Sequence, residues 1–293
     1  MAKAKKPLEF GYVLKNFAGF LEGTMKAGNT VSSYRSDLNT FGEYLQKNRG
    51  SGKMDLSGVP VGEIESYGAY LRTLGYKRNT RRRKLLTVRR MIRYFVKRNR
   101  LGEDFSRVVN APEKVERIPK TISTSELIEA IKGLPSETDF AGRNRALLWV
   151  LAETGCRVSE AARLKGVDFS SKSVRFMGKF PRSVPVSAAL SRAVHIIGGR
   201  NGWLFCGYNK AGPLTGGPIT PRGVELLVKA YASRLGCDNE LTPRTFRHSV
   251  VLKWHAEGKS KKRMCELLGL RTDYAFRVYD EMLKPRSPAT SSP

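Results

Sequence analysis

Acidic side chains are scarce in this sequence: 26 aspartates and glutamates stand against 53 lysines and arginines, a formal charge of +27. Together with a pI near 10.2, so one-sided a balance argues against an ordinary enzyme of small neutral substrates and calls for a polyanionic partner. Long hydrophobic runs are missing as well. The longest apolar stretches, such as Ala146 to Ala152, fall far short of the roughly 18 residues that a membrane span needs, so no membrane partner is expected. The basic opening MAKAKKP lacks the apolar segment of a signal peptide, which makes the cytoplasm, in association with the nucleoid, the expected location. Cysteine is thin and scattered. Cys156, Cys206, Cys237 and Cys265 form no Cys-x-x-Cys pair of the kind zinc sites use. His195, His248 and His255 make no His-Glu-x-x-His pattern, and there is no Gly-x-x-x-x-Gly-Lys-Ser/Thr loop for a nucleotide. Neither metal, ATP nor another cofactor is therefore expected.

What is present is a helical pattern with room for two ordinary domains. Apolar positions Phe10, Val13, Leu14, Phe17, Phe20 and Leu21 follow the helical period, and a second helix, capped by Asn29 or Thr30, turns Val31, Tyr34, Leu38, Phe41 and Leu45 inward. A third, from about Val61 to Leu74, buries Ile64, Tyr67, Leu71 and Leu74 and stops at Gly75. The fourth, from Asn79, presents Leu85, Val88, Ile92, Phe95 and Val96. This last segment carries Arg81, Arg82, Arg83, Lys84, Arg89, Arg90 and Arg93 without an acid among them. A charge run is commonly just a solvated face. Solvated helices usually mix signs, however, because like charges at i and i+4 repel by about a few tenths of a kcal/mol per pair. An unbroken basic face is better explained by phosphates, so Arg81, Arg82, Arg89, Arg90 and Arg93 are the expected DNA contacts.

The prolines and mixed charges of NAPEKVERIP, Asn110 to Pro119, predict a linker. Beyond it, Thr124 or Ser125 caps a helix through Ile131, and Gly142 to Ala152 is a strongly apolar one. Gly155 breaks that helix and Arg157 starts the next. Val167 to Phe169 and Ser173 to Met177 predict short strands, and a Gly178-Lys179 turn leads through Arg182 into Val184-Pro185-Val186, where the proline marks a sheet edge. Ala188 to Ile197 is helical, Gly207 to Gly217 predicts a glycine-rich loop, and Thr220-Pro221 caps a further helix. The fold class is mostly α with a small antiparallel β-sheet.

The most telling stretch runs from Leu241 to Asp280. Thr242 followed by Pro243 starts a helix: a hydroxyl cap, then proline where its missing N–H costs nothing. Arg244, Arg247 and His248 share one face of its first two turns, beside free backbone N–H groups and the positive end of the helix dipole. Two guanidinium forks aimed at one point suit phosphate. Gly258 ends this helix, Ser260 caps another that stops at Gly269, and Thr272-Asp273 caps a last one carrying Tyr279. Because Ala275, Val278, Tyr279 and Met282 fall at helical spacing, Tyr279 also fits an ordinary core position.

These pieces, in this order, resemble the signatures of the tyrosine recombinase, or phage-type integrase, family. Glu153-Thr-Gly-Cys-Arg157-Val-Ser-Glu160 resembles the first, and Arg244-Thr-Phe-Arg247, Leu268-Gly269-Leu270 and Tyr279 resemble the second. Two positions depart: Arg244 stands where His is usual, as in some archaeal viral and plasmid integrases, and Leu270 where His or Trp is usual. The resemblance implies a helical core-binding, DNA-clamping domain at residues 1–110, a linker at 111–120 and a catalytic domain at 121–283; the tail at 284–293, rich in Pro and Ser, is expected to be disordered. It implies double-stranded DNA as partner and a homo-oligomer, a tetramer, on that DNA.

The implied roles are chemically coherent. Arg157, Arg244 and Arg247 would stabilise the extra negative charge of a phosphodiester under attack. Lys179 would protonate the departing 5′ oxygen, since lysine lowers its pKa readily beside other cations. Tyr279 would be the nucleophile, its phenol made more acidic by the surrounding positive charge; Glu160 would support the site, and Arg182 would add a DNA contact. Without His at position 244 the acceptor of the Tyr279 proton is open. The competing readings are relaxation of supercoils by the closely related chemistry of a type IB topoisomerase, and a DNA-binding protein that has lost catalysis.

Overall fold

The computed structural model describes residues 7–25, 28–50, 54–115, 119–178, 180–198, 202–209, 212–237, 241–272, 276–280 and 282–283. The chain divides into two compact units, 1–116 and 117–293. Lys179, Asp273, Ala275 and the tail 284–293 lie outside the described residues.

Among the described residues the first unit holds four α-helices, α1 (Phe10–Met25), α2 (Gly28–Arg49), α3 (Val61–Thr73) and α4 (Arg78–Val96). Their apolar stripes meet in an aromatic core in which Phe17, Phe41, Tyr67 and Phe95 are buried, Phe41 packing edge-on against Tyr67 with ring centroids 4.9 Å apart. Leu74, expected inside, is 48% exposed, because α3 ends at Thr73 and Leu74 is its C-cap, beyond the buried stripe Ile64, Tyr67 and Leu71. The acid missing from α4 comes from α2. Buried Asp37 accepts from Arg83 NH1 at 2.7 Å and Thr87 Oγ1 at 3.1 Å, and Lys84 Nζ lies 3.3 Å from its other oxygen.

The second unit is built on α6 (Asp139–Thr154), whose run Ala146 to Ala152 is buried throughout. An all-round apolar helix must be covered on every side, and α5 (Thr124–Lys132), α8 (Ala188–Ile197) and α10 (Pro243–Ala256) cover it. Hydroxyls cap these helices: Ser123, Thr138, Ser187 and Thr242 each accept from an amide of the first turn. The remaining helices are α7 (Val158–Ala161), α9 (Pro221–Tyr231), α11 (Lys261–Leu268) and α12 (Arg277–Asp280). Two separate antiparallel hairpins complete the unit, β1 (Ser173–Phe176) with β2 (Arg182–Pro185), and β3 (Cys206–Asn209) with β4 (Gly212–Pro218).

Two expectations change. Val167 to Phe169 forms a 3₁₀ turn, Gly166–Asp168, closed by the Asp168 carboxylate on the Lys165 amide, and contributes only a bridge between Phe169 and Val174. The glycine-rich stretch from Gly207 to Gly217 is largely the second hairpin, whose β-bulge between Cys206 and Tyr208 accommodates the irregular sequence. No helix among the described residues is long and apolar enough to cross a membrane.

Candidate active site

Helix α10 sets the geometry. Thr242 Oγ1 accepts from the Thr245 amide at 3.1 Å, Pro243 follows, and Phe246 and Val250 are buried on one side of the helix. Arg244, Arg247 and His248 share another side, with buried Val251 among them. Arg247 is held on two sides: NH1 donates to the Gly155 carbonyl and NH2 to the Leu268 carbonyl, both at 2.7 Å. Gly155 has φ +57°, and a Cβ there would lie 3.4 Å from the Arg247 Cα and from Val250. Glycine therefore ends α6 and also lets α10 approach closely enough for the first of these bonds.

Arg157 caps α7. Glu160 accepts its amide at 2.7 Å and its NH1 at 3.0 Å, and Arg157 NH2 reaches the Gly269 carbonyl at 3.3 Å. The same carboxylate accepts Arg182 NH1 at 2.7 Å and NH2 at 2.9 Å. Burial alone pushes the Glu160 carboxyl up, but the bonds from Arg182 and the Arg157 amide and the two guanidinium charges outweigh it and bring it to about 2.

Arg182 is a correction. Expected to reach DNA, its side chain is only 7% exposed. Besides gripping Glu160 it donates Nε to the Leu267 carbonyl at 2.6 Å and lies over the Phe176 ring at 4.7 Å. With its fork on Glu160, its Nε on a carbonyl and its side chain buried, Arg182 is turned inward to hold the site together.

Tyr279 sits on α12 and is 3% exposed, beside fully buried Phe276. The inward spacing is thus Phe276 and Tyr279, while Val278 is 41% exposed. Surrounding charge was expected to make the phenol more acidic, and the direction is the reverse. Burial raises its pKa more than the neighbouring Arg247, Arg244 and Arg157 lower it. His248 packs edge-on against Tyr279, with centroids 5.3 Å apart, and its buried Nδ1 has no hydrogen-bond partner among the described residues. Burial, and then Arg244 and Arg247, push this imidazole down to about 4, so it is neutral at ordinary pH. Arg244 is exposed. Lys179 falls in sequence between β1 and β2 and lies outside the described residues.

The structure thus brings Arg157, Glu160, Arg247 and Tyr279 together, with Arg244 at the open end of the same helix. Sequence reasoning missed the three successive carbonyls Leu267, Leu268 and Gly269, each of which takes a different arginine. Helix-ending Gly269 was the available signal. Cys156 is buried and its thiol is pushed up to about 12, which makes it inert.

In the first unit the α4 arginines do not form one free face. The segment after α4 lies along the helix and takes them as donors. Arg82 NH1 bonds the Pro112 carbonyl at 2.7 Å, Arg89 bonds the Ser106 and Val109 carbonyls at 3.1 and 2.9 Å, and Arg93 Nε bonds Ser106 Oγ at 3.0 Å. Carbonyl oxygens, which no reading of side-chain charge reveals, offset part of the repulsion among these cations. Arg90 NH1 donates to the Tyr34 hydroxyl at 2.7 Å, and Arg81 Nε is buried without a partner among the described residues. Between α2 and α4 lies a groove of about 660 Å³ lined by Thr30, Ser33, Asn79, Arg82, Arg83 and Lys114 among others.

Residues 122–283 match the phage integrase family and residues 14–99 its N-terminal SAM-like domain. The chain belongs to the phage integrase family. It is 29% identical over 277 residues to the tyrosine recombinase XerC of Herpetosiphon aurantiacus, covering 89% of this chain and 87% of that one. Two solved structures share its fold. A lambda integrase dimer bound to a COC′ core site aligns with a TM-score of 0.71 at 15% identity, covering 98% of this chain and 82% of that one. A lambda integrase tetramer bound to a Holliday junction aligns with 0.66 at 15%, covering 91% and 78%.

Proposed function

We propose that this chain is a site-specific DNA recombinase that cuts and rejoins strands through a 3′-phosphotyrosyl link formed by Tyr279. The observation that carries this reading is the convergence of Arg157 and Arg247 on a buried tyrosine, each arginine held through part of its guanidinium and keeping N–H donors for an incoming phosphate. Because a guanidinium keeps its proton in proteins, Arg244 is an electrostatic clamp and not a base.

The Tyr279 oxygen gives up its proton to solvent and attacks the scissile phosphorus, the bond to the 5′ oxygen breaks, and Lys179 supplies the proton that this oxygen takes and regains one from solvent. Fixed cations stabilise the non-bridging oxygens as charge builds there. The tyrosyl ester conserves the bond, so a 5′ hydroxyl from a second duplex reverses the step. A phenol this buried meets a phosphate only after α12 moves outward. In this reading residues 1–110 are the core-binding domain, 111–120 the linker and 121–283 the catalytic domain. The groove between α2 and α4 contributes to the DNA surface of the first. The solved relatives' dimer and tetramer on DNA support assembly of this chain as a tetramer on a junction, in the cytoplasm on the nucleoid.

The test is a nicked duplex library whose cleavage releases a short strand, so that religation fails. Protein-linked DNA recovered after denaturation and sequenced should share one core site. Recovery of no protein-linked DNA, or of adducts with no shared sequence, contradicts site-specific recombination.

A further inference from the structure

We infer that Arg182 is a positioning residue of the reaction, locking the place of Arg157 through Glu160 and tying the β1–β2 hairpin to the end of α11. This rests on the recombinase reading above. The end of α11 is a hub. Leu267, Leu268 and Gly269 offer consecutive carbonyls to Arg182 from β2, Arg247 from α10 and Arg157 from the cap of α7. Carbonyls at a helix C-terminus lack intrahelical partners and carry the negative end of the dipole, so cations are favoured there. Three arginines from three elements are thereby held around one turn.

Within that hub Arg182 alone among the three meets Glu160 with both terminal nitrogens, at 2.7 and 2.9 Å. Such a two-point grip fixes the carboxylate plane. Glu160 Oε1 is shared between Arg182 and Arg157, so the orientation of Arg157 follows from that of the carboxylate. Gly269 makes room. A Cβ there would lie 2.9 Å from Arg182 NH1, and φ is +60°, so the glycine between Leu268 and Leu270 is required both by the backbone and by the arginine packed on it. Leu270 packs against the core of the unit, so the part of this motif that serves the site is its carbonyls.

The experiment measures single-turnover cleavage of a nicked duplex by the full chain, with either an ordinary phosphate or a neutral methylphosphonate at the scissile position. Methylphosphonate lacks the charge that Arg157 is there to meet. Arg182→Met should leave DNA affinity intact and slow phosphate cleavage by about 100-fold, the scale set by misplacing a catalytic group. On methylphosphonate the deficit should shrink toward parity. Arg182→Lys, which keeps the charge but not the grip, should fall between, and it carries the test if the Met variant does not fold. Gly269→Ala, whose Cβ would press on the Arg182 guanidinium, should reproduce the pattern with Arg182 itself unchanged. Parent-like phosphate cleavage by the Arg182 variants, or equal deficits on both substrates, overturns the inference. A parent protein that forms no covalent adduct on phosphate overturns instead the reading on which it rests.

Discussion

Replacing Glu160 by glutamine removes the charge on which two guanidinium groups and an amide converge, leaving Arg182 buried against a neutral acceptor. From an ordinary 4.5 the carboxyl is brought down to about 2. At about 1.36 kcal/mol for each pH unit this is a stabilisation of about 3 kcal/mol. Removing one partner of a buried ion pair costs about 3–5 kcal/mol, so the two routes agree. Because folding holds the proton off, the contribution is complete above pH 4.5 and is lost as pH falls toward 2. All three tryptophans, Trp149, Trp203 and Trp254, lie in the second unit, so their fluorescence reports its unfolding alone. Near neutral pH, Glu160→Gln should lower the melting temperature by about 6–12 °C, taking about 2–4 °C per kcal/mol for a unit of this size. The gap should close in acid. Equal melting temperatures near neutral pH, or a gap that persists at pH 2, refutes the ion-pair account.

Further expectations concern other groups. Arg244→Ala should slow single-turnover cleavage by about 2.7–4 kcal/mol if it resembles loss of an oxyanion donor. Arg244→Lys should be intermediate, and Arg244→His should introduce a pH dependence near about 6.5. An alanine variant as fast as the parent removes Arg244 from the site. His248 is held neutral with a pKa of about 4, so the unfolded chain takes up its proton first. Acidification from pH 6.5 toward 4 therefore loses up to about 3 kcal/mol, and His248→Gln should abolish that part of the acid sensitivity in the same fluorescence assay. If the chain neutralises about 6–10 phosphates, DNA affinity should fall by about 10³–10⁵ between 50 and 200 mM salt. Arg83→Ala, its side chain half-exposed in the groove, should reduce the salt slope by about one. Arg89→Ala, turned toward the Ser106 and Val109 carbonyls, should lower the stability of the first unit and leave the slope unchanged.

The helices were legible because their signals are local. Thr242-Pro243, Ser260 and Gly269 stand at helix ends whose geometry depends on those residues alone, and the apolar spacing of α2 and α4 matches their buried stripes. Arg157, Arg247 and Tyr279 were legible from their order along the chain. What escaped depends on contacts distant in sequence. Nothing near Arg182 announces a carboxylate 22 residues earlier or a carbonyl 85 residues later, so a cation three residues beyond Lys179 read as a DNA contact. The partners of Arg82 and Arg89 escaped for a related reason, since they are main-chain oxygens, which every sequence contains. The direction of the Tyr279 shift was missed because sequence counts charges but not burial, and here burial is the larger effect.

The central claim is that one phenol makes and breaks the phosphodiester. The most direct measurement traps the adduct on a nicked duplex, digests the protein and identifies by mass spectrometry the peptide carrying the nucleotide remnant, for the parent and for Tyr279→Phe. The account predicts the remnant on Tyr279 in the parent. In the Phe variant, which keeps the ring packed against Phe276 and His248, it predicts no adduct but unchanged DNA binding. A remnant on Tyr274 or any other residue, or an adduct surviving in Tyr279→Phe, contradicts it.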